Sequence, residues 1–116
     1  MDTDPRALVE RTRAFLLDMD GTVYLGERPI GDMAATLAAI RASGRKIVYC
    51  TNNSSKTAAE YAQKLKRLGL FAAEDFVYTS GMATIEYLQE KFPGRSVYLV
   101  GTDALKAEFA AAGIRL

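Results

Sequence analysis

Phe15-Leu16-Leu17-Asp18-Met19-Asp20-Gly21-Thr22 is the stretch on which the reading of the fold turns. Residues 14–17 form an apolar run of strand length that ends in two carboxylates two residues apart, followed by a glycine. Similar runs recur at 47–50, 76–78 and 97–100. Between them, apolar residues repeat at helical spacing: Met33, Leu37 and Ile40; Tyr61, Leu65 and Leu68; Ile85 and Leu88; then Leu105, Phe109 and Ala112. Short buried runs alternating with amphipathic helices indicate βα units around a parallel sheet. The expected fold is therefore α/β, a doubly wound, Rossmann-like parallel sheet with helices on both faces and four strands in this segment. Gly44, Gly69, Gly94 and Gly113 stand where helices should stop. Thr57-x-x-Glu60 has the form of a capping box, and Asp4-Pro5 suits the start of a short N-terminal helix. Gly113-Ile114-Arg115-Leu116 reads as the beginning of a further strand, an expectation that points to truncation.

Composition narrows the chemistry. The 116 residues carry 15 Lys and Arg against 14 Asp and Glu, a net charge of +1, which gives no electrostatic case for binding nucleic acid or an anionic membrane. There is no His, which excludes imidazole bases, His-based triads and His metal sites. One cysteine, Cys50, excludes an internal disulfide framework and is read as a buried, inert thiol in the second strand. Tyr49, Tyr78 and Tyr98 are read as strand packing residues, and Met33 and Met82 as core fillers. The acidic opening Met1-Asp2-Thr3-Asp4 has no apolar stretch of signal-peptide length, and the expected location is the cytoplasm.

In open α/β sheets, ligands bind beyond the carboxyl ends of the strands. The first strand brings Asp18 and Asp20 to that edge. Two close carboxylates repel unless a proton or cation intervenes, and Mg²⁺, a hard ion with oxygen ligands, meets that need. The alternative reading of Asp-x-Asp-Gly alone is a capped turn in which Gly21 supplies backbone freedom. The second strand brings Thr51-Asn52-Asn53-Ser54-Ser55 to the same edge, just before a helix. Hydroxyls, amides and free backbone N–H groups at a helix N-terminus make a phosphate cradle, or else a polar loop with an ordinary N-cap. Side by side, an acidic pair and an oxyanion cradle have the layout of phosphoryl transfer to a carboxylate.

The stretch from Phe15 to Gly26, with Ile47-Val48-Tyr49-Cys50-Thr51-Asn52-Asn53-Ser54-Ser55-Lys56, resembles the haloacid dehalogenase superfamily, and more narrowly its 4-nitrophenylphosphatase-like branch (subfamily IIA). Tyr78-Thr79-Ser80-Gly81 and Val100-Gly101-Thr102 fit the same branch. The resemblance implies a Mg²⁺-dependent phosphomonoesterase working through an aspartyl-phosphate on a small-molecule phosphate ester. It implies that Asp18 is the nucleophile and a metal ligand, and that Asp20 is the general acid and base with its backbone carbonyl on the metal. Thr51 and the Asn52 backbone N–H would hold the transferring phosphoryl group. A phospho-accepting receiver domain fits less well, because such domains carry the acceptor Asp on a later strand, whereas here the second strand ends in Thr51 and the third in Thr79.

The family also uses a third-motif Lys and a Gly-Asp fourth motif, and neither is identifiable here. Lys56 reads as a loop residue, Lys106 as a solvated helix residue and Asp103 as a helix N-cap or first-turn acid. Residues 1–116 are thus expected to form a partial core holding the first two motifs, without the cap or motifs three and four, and inactive alone. The alternative is a non-catalytic binding module that self-associates through an unfinished sheet edge.

Overall fold

The computed structural model describes residues 4–116; the Met1-Asp2-Thr3 portion of the acidic opening lies outside the described residues. The elements in chain order are α1 (Pro5–Arg11), β1 (Ala14–Asp18), β2 (Tyr24–Leu25), β3 (Arg28–Pro29), α2 (Met33–Ala42), β4 (Lys46–Thr51), α3 (Ala58–Arg67), β5 (Phe76–Thr79), α4 (Ser80–Lys91) and α5 (Asp103–Ala111). β1, β4 and β5 form a parallel sheet with β4 at its centre, and β2 and β3 form a small antiparallel hairpin.

Local sequence accounts for most boundaries. Asp4 accepts a hydrogen bond from the Arg6 backbone N–H at 3.1 Å, and Pro5 opens α1. The capping box at α3 forms in both directions: the Glu60 N–H donates to Thr57 Oγ1, and the Thr57 N–H donates to Glu60 Oε1, each at 3.2 Å. Gly69 ends that helix in the left-handed region at φ 75°, a conformation that only glycine adopts readily. Gly44 and Gly113 stop their helices in the same way, whereas α4 ends at Lys91 with Phe92 as its cap and Pro93 next, so Gly94 falls in the turn beyond.

Strand alternation sends Phe15, Leu17, Ile47, Tyr49 and Val77 to one face of the sheet, where the register aligns Phe15 with Ile47 and Leu17 with Tyr49. Leu37 of α2 and Tyr61 and Leu65 of α3 close over this face to make the main core. Leu16 and Phe76 point the other way and remain 70% and 60% exposed. α4 reaches that face near the carboxyl end of β5, where the Tyr78 hydroxyl donates to Glu86 at 2.9 Å, while α2 and α3 share the opposite face. Topology supplies the reason. The chain steps from β1 to β4 to β5 in one direction, and successive right-handed crossovers in one direction place their helices on the same face.

The expected fourth strand does not form. Among the described residues, 97–100 make no ladder, and a single parallel bridge pairs the adjacent Ser96 with Arg115. Tyr98 and Val100 are 94% and 84% exposed, so Tyr98 is not a packing residue. An apolar run needs a neighbour to become a strand, and the segment beginning at Ile114 offers one rung. α5 packs on α4 instead of on the sheet, and Ile85, Leu105 and Phe109 form a second, smaller apolar cluster. Two clusters side by side make the molecule elongated: its radius of gyration is 16.6 Å, against about 13 Å for a compact chain of this length. Cys50 lies on the open face and is partly exposed, not buried.

One buried ion pair ties α2 to the start of β5. The Asp75 side chain is fully buried and accepts from Arg41 Nε at 3.0 and 3.1 Å and from the Ala72 N–H at 2.9 Å. Arg41 Nη2 also donates to the Leu70 carbonyl at 2.9 Å, the same oxygen that accepts from the buried Tyr49 hydroxyl. The carboxylate of Asp75 raises the Arg41 pKa still further above its ordinary value.

Two outcomes follow from this arrangement. Asp75→Ala strands a guanidinium in the interior and should cost about 3–5 kcal/mol in urea unfolding; a loss below about 1 kcal/mol would contradict the assignment. Burial pushes the Tyr49 hydroxyl up to about 12 from the ordinary 10.0. The folded state therefore holds this proton more tightly than the unfolded chain. Its contribution to stability is complete below pH 10 and is lost as pH rises through the folded value. Stability measured from pH 9 to 12 should fall less steeply in Tyr49→Phe than in the parent chain.

Candidate active site

The parallel register decides what meets at the carboxyl edge of the sheet. Asp18, the last residue of β1, is level with Cys50, and Thr51, the last residue of β4, is level with Thr79, the last of β5. Asp18 and the Thr51 loop therefore leave neighbouring strands at the same end of the sheet. Thr51 and Thr79 are buried, while Asp18 and Asp20 are exposed.

After β1 the chain makes a tight turn built on Met19. Its side chain is buried in the core, and its carbonyl accepts from the N–H groups of Thr22 and Val23 at 3.1 and 3.0 Å. Burying Met19 fixes the two flanking residues, so Asp18 and Asp20 are both left in solvent. Gly21 sits at φ 80°, and its N–H donates to the Tyr24 carbonyl at 2.8 Å, which closes the turn. The buried Tyr24 hydroxyl is pushed up to about 12, first by burial and then by the negative charge of Asp20, with Asp18 adding to it. The ammonium of Lys64 lies 4.1 Å above the Tyr24 ring. Tyr24, which closes the acidic turn, thus lies against Lys64 of α3.

The loop after β4 is organised from within. The Asn53 N–H donates to Thr51 Oγ1 at 3.0 Å. Asn53 Oδ1 in turn accepts from the Ser55 N–H at 2.9 Å and from Ser55 Oγ at 2.6 Å. Thr51 and Asn52 line an open cleft of about 370 Å³ with Thr79, Ser80, Ala83 and Thr84. Hydroxyls of Thr51, Thr79, Ser80 and Thr84 share the cleft wall with Cys50, Tyr78 and Ala83. Asp18 and Asp20 do not line it; they stand beside it on the neighbouring strand end.

Asp18 and Asp20 supply hard carboxylate oxygens, a donor type that suits Mg²⁺, which is held by one or two carboxylates and completes its shell with water and phosphate oxygens. Among the described residues no group of three or more His, Cys, Asp or Glu forms a protein-only metal cage. The acidic pair fits an ion shared with substrate.

The other sequence-singled residues take ordinary places. The Lys56 ammonium lies 5.9 Å from the centre of the Tyr61 ring, Lys106 is exposed on α5, and Asp103 is a first-turn acid of α5 behind the N-cap Thr102. Sequence reasoning missed Ser80 and Thr102, whose hydroxyls reach the Thr51 loop from α4 and from the cap of α5: Ser80 Oγ donates to the Asn52 carbonyl at 3.2 Å and Thr102 Oγ1 to the Ser55 carbonyl at 3.0 Å. Both stand in the segments Tyr78–Gly81 and Val100–Thr102 that carry the family resemblance, but no sequence feature assigned either hydroxyl a role. No helix among the described residues is long and apolar enough to cross a membrane.

Comparison with known proteins agrees with this geometry. A family model described as haloacid dehalogenase-like hydrolase matches residues 15–115. The chain is 39% identical over 111 residues to glycerol-3-phosphate phosphatase of Gallus gallus, covering 94% of this chain and 36% of that protein. It superposes on the crystal structure of 4-nitrophenylphosphatase from Thermotoga maritima with a TM-score of 0.87 at 34% identity, covering 94% of this chain and 42% of that one. It is also similar to glycerol phosphate phosphatase from Mycobacterium tuberculosis, solved in complex with magnesium, with a TM-score of 0.81 at 36% identity over 93% of this chain and 32% of that one. The chain spans well under half the length of each. With its acidic turn and hydroxyl-lined loop on adjacent parallel strands, the chain belongs to the haloacid dehalogenase-like hydrolase family.

Proposed function

We propose that this segment carries the nucleophile and phosphate loop of a Mg²⁺-dependent phosphomonoesterase that works through an aspartyl-phosphate. The observation that carries the reading is the parallel pairing of β1 with β4, which brings Asp18 level with Cys50, one residue before Thr51. The phosphatase names of the relatives support the reaction class, and the magnesium complex of one neighbour supports the metal. The substrate class is a small phosphate ester; glycerol phosphate, named for two of those relatives, is the first compound to try.

The residues divide the work as follows. An oxygen of Asp18 attacks phosphorus while the bond from phosphorus to the leaving alcohol breaks. Asp20 in its acid form gives its proton to the departing oxygen. Asp20, now a carboxylate, then takes a proton from water as that water attacks phosphorus, the bond to Asp18 breaks, and inorganic phosphate is released. Thr51 Oγ1 and the Asn52 N–H hold the phosphoryl oxygens through both steps, as preorganised donors do for developing charge. Asp18 and the Asp20 carbonyl would hold Mg²⁺, which when bound neutralises charge on the transferring group. Because carboxylates serve as nucleophile, acid and base, the absence of His is no obstacle.

A second reading concerns the 116 residues by themselves: a non-catalytic module that pairs through its open sheet edges. β1 and β5 are the outer strands of the sheet, and the exposure of Leu16 and Phe76 on them favours it. Light scattering on the isolated chain separates the two, since a dimer supports pairing and a monomer excludes it.

Hydrolysis of p-nitrophenyl phosphate by the protein encoded by the complete reading frame should require Mg²⁺ and vanish on chelation. Asp18→Asn should lower kcat by roughly 10³-fold or more, and Asp20→Asn by about 10²–10⁴-fold. Unchanged turnover in Asp18→Asn would remove the nucleophile assignment. The isolated 116-residue chain is expected to show no turnover, and robust Mg²⁺-dependent activity from it would contradict that part of the reading.

A further inference from the structure

The loop that follows β4 is also gripped from outside. Ser80 Oγ, at the first turn of α4, donates to the Asn52 carbonyl at 3.2 Å, and Thr102 Oγ1, the N-cap of α5, donates to the Ser55 carbonyl at 3.0 Å. A third link joins α5 to the end of the loop, where the Ala58 N–H donates to Glu108 Oε2 at 3.4 Å. All three come from the α4–α5 cluster, whose apolar core is separate from that of the sheet.

Planar trans peptides turn these contacts into orientation. In a trans peptide the C=O and the following N–H point in opposite directions. The 52–53 peptide is therefore held at both ends, its oxygen by Ser80 and its N–H by Thr51 Oγ1. The 55–56 peptide has its oxygen held by Thr102, which turns the Lys56 N–H to the opposite side. Thr102 uses its hydroxyl twice: the oxygen accepts from the Leu105 N–H at 3.2 Å, capping α5, while its proton goes to Ser55. Close approach of the helices makes this reach possible. A Cβ on Gly81 would lie 3.1 Å from both Glu108 Oε1 and Leu105 Cδ1, so only glycine lets α5 come this near without displacing them.

We propose that Ser80 and Thr102 are positioning residues that set the backbone orientation of the Asn52–Ser55 loop, so that the seating of α5 on α4 is coupled to the affinity of that loop for phosphate. The coupling to phosphate rests on the phosphate-loop role proposed above; the backbone orientation does not.

The two functions of Thr102 separate by substitution. Asp is a strong N-cap acceptor but, ionised, has no proton to donate to Ser55, whereas Ser retains both roles. Solvent exchange of backbone amides, measured by NMR on the 116-residue chain without ligand, reads the loop directly. Asn53 and Ser55 amides should exchange about fivefold faster in Thr102→Asp, the change expected for loss of one ordinary hydrogen bond of about 1 kcal/mol. The Leu105 and Leu65 amides should stay as in the parent, and Thr102→Ser should restore parent exchange throughout. Ser80→Ala should accelerate Asn53 with no effect on the α4 cap, because that cap is Thr79. Unchanged Asn53 and Ser55 exchange in Thr102→Asp with α5 intact would overturn the proposal. If α5 melts in that variant, unchanged Asn53 exchange in Ser80→Ala overturns it instead. Titration of inorganic phosphate with Mg²⁺ then tests the coupling: Asn52 and Asn53 amide shifts should appear in the parent and need about fivefold more phosphate in Thr102→Asp. Absence of those shifts in the parent counts against the phosphate-loop reading, while the exchange result still decides the positioning role.

Discussion

Parallel pairing of β1 with β4 and of β4 with β5 is the constraint from which everything else at the carboxyl edge follows. Parallel strands deliver their ends to the same side of a sheet, so an acidic turn after β1 and a hydroxyl-rich loop after β4 must become neighbours. A slip of one residue would invert every side chain of a strand, moving Ile47 and Tyr49 out of the core and Thr51 out of its buried position. The core thus enforces the register, and the register places the chemistry. Met19 extends the same logic past the strand end, since burying it leaves Asp18 and Asp20 together in solvent.

The architecture has two parts that meet at the loop after β4. The sheet with α2 and α3 holds one core, anchored at its far end by the Arg41–Asp75 pair. α4 and α5 hold the other, and polar bonds from Ser80, Thr102 and Glu108 attach it to the loop. Hydrogen bonds of this kind are individually worth about 1 kcal/mol, far less than a shared apolar core. The junction is therefore directional without being strong, which suits a loop whose backbone must be oriented.

Much of the fold was legible from local pattern. β1, β4 and β5 coincide with apolar runs, α2, α3, α4 and α5 with helical periodicities, and the Thr57–Glu60 box with its sequence signature. The misses share a cause: they depend on partners remote in sequence. Residues 97–100 are as apolar as the true strands, but strand formation needs a ladder that Arg115 alone does not supply. That α2 and α3 share one face follows from crossover direction, which periodicity does not encode. Asp75 looks like any loop acid until Arg41 is folded against it. Thr102 announces its capping role by preceding a helix, whereas its second bond, to Ser55 across 47 residues, leaves no trace in spacing. The strand ends that carry Asp18, Asp20, Thr51 and Asn52 were readable; the hydrogen bonds that orient the loop after β4 were not.

The proposed chemistry turns on Asp18 as the oxygen nucleophile toward phosphorus, beside the loop after β4 that would hold the phosphoryl group, with Mg²⁺ on Asp18 and the Asp20 carbonyl. Beryllofluoride forms a stable mimic of an aspartyl-phosphate on a nucleophilic carboxylate, and ¹⁹F NMR detects the bound species directly. With the protein from the complete reading frame, Mg²⁺ and beryllofluoride, the account predicts bound fluorine resonances that disappear in Asp18→Asn. Bound resonances that persist unchanged in Asp18→Asn would contradict it.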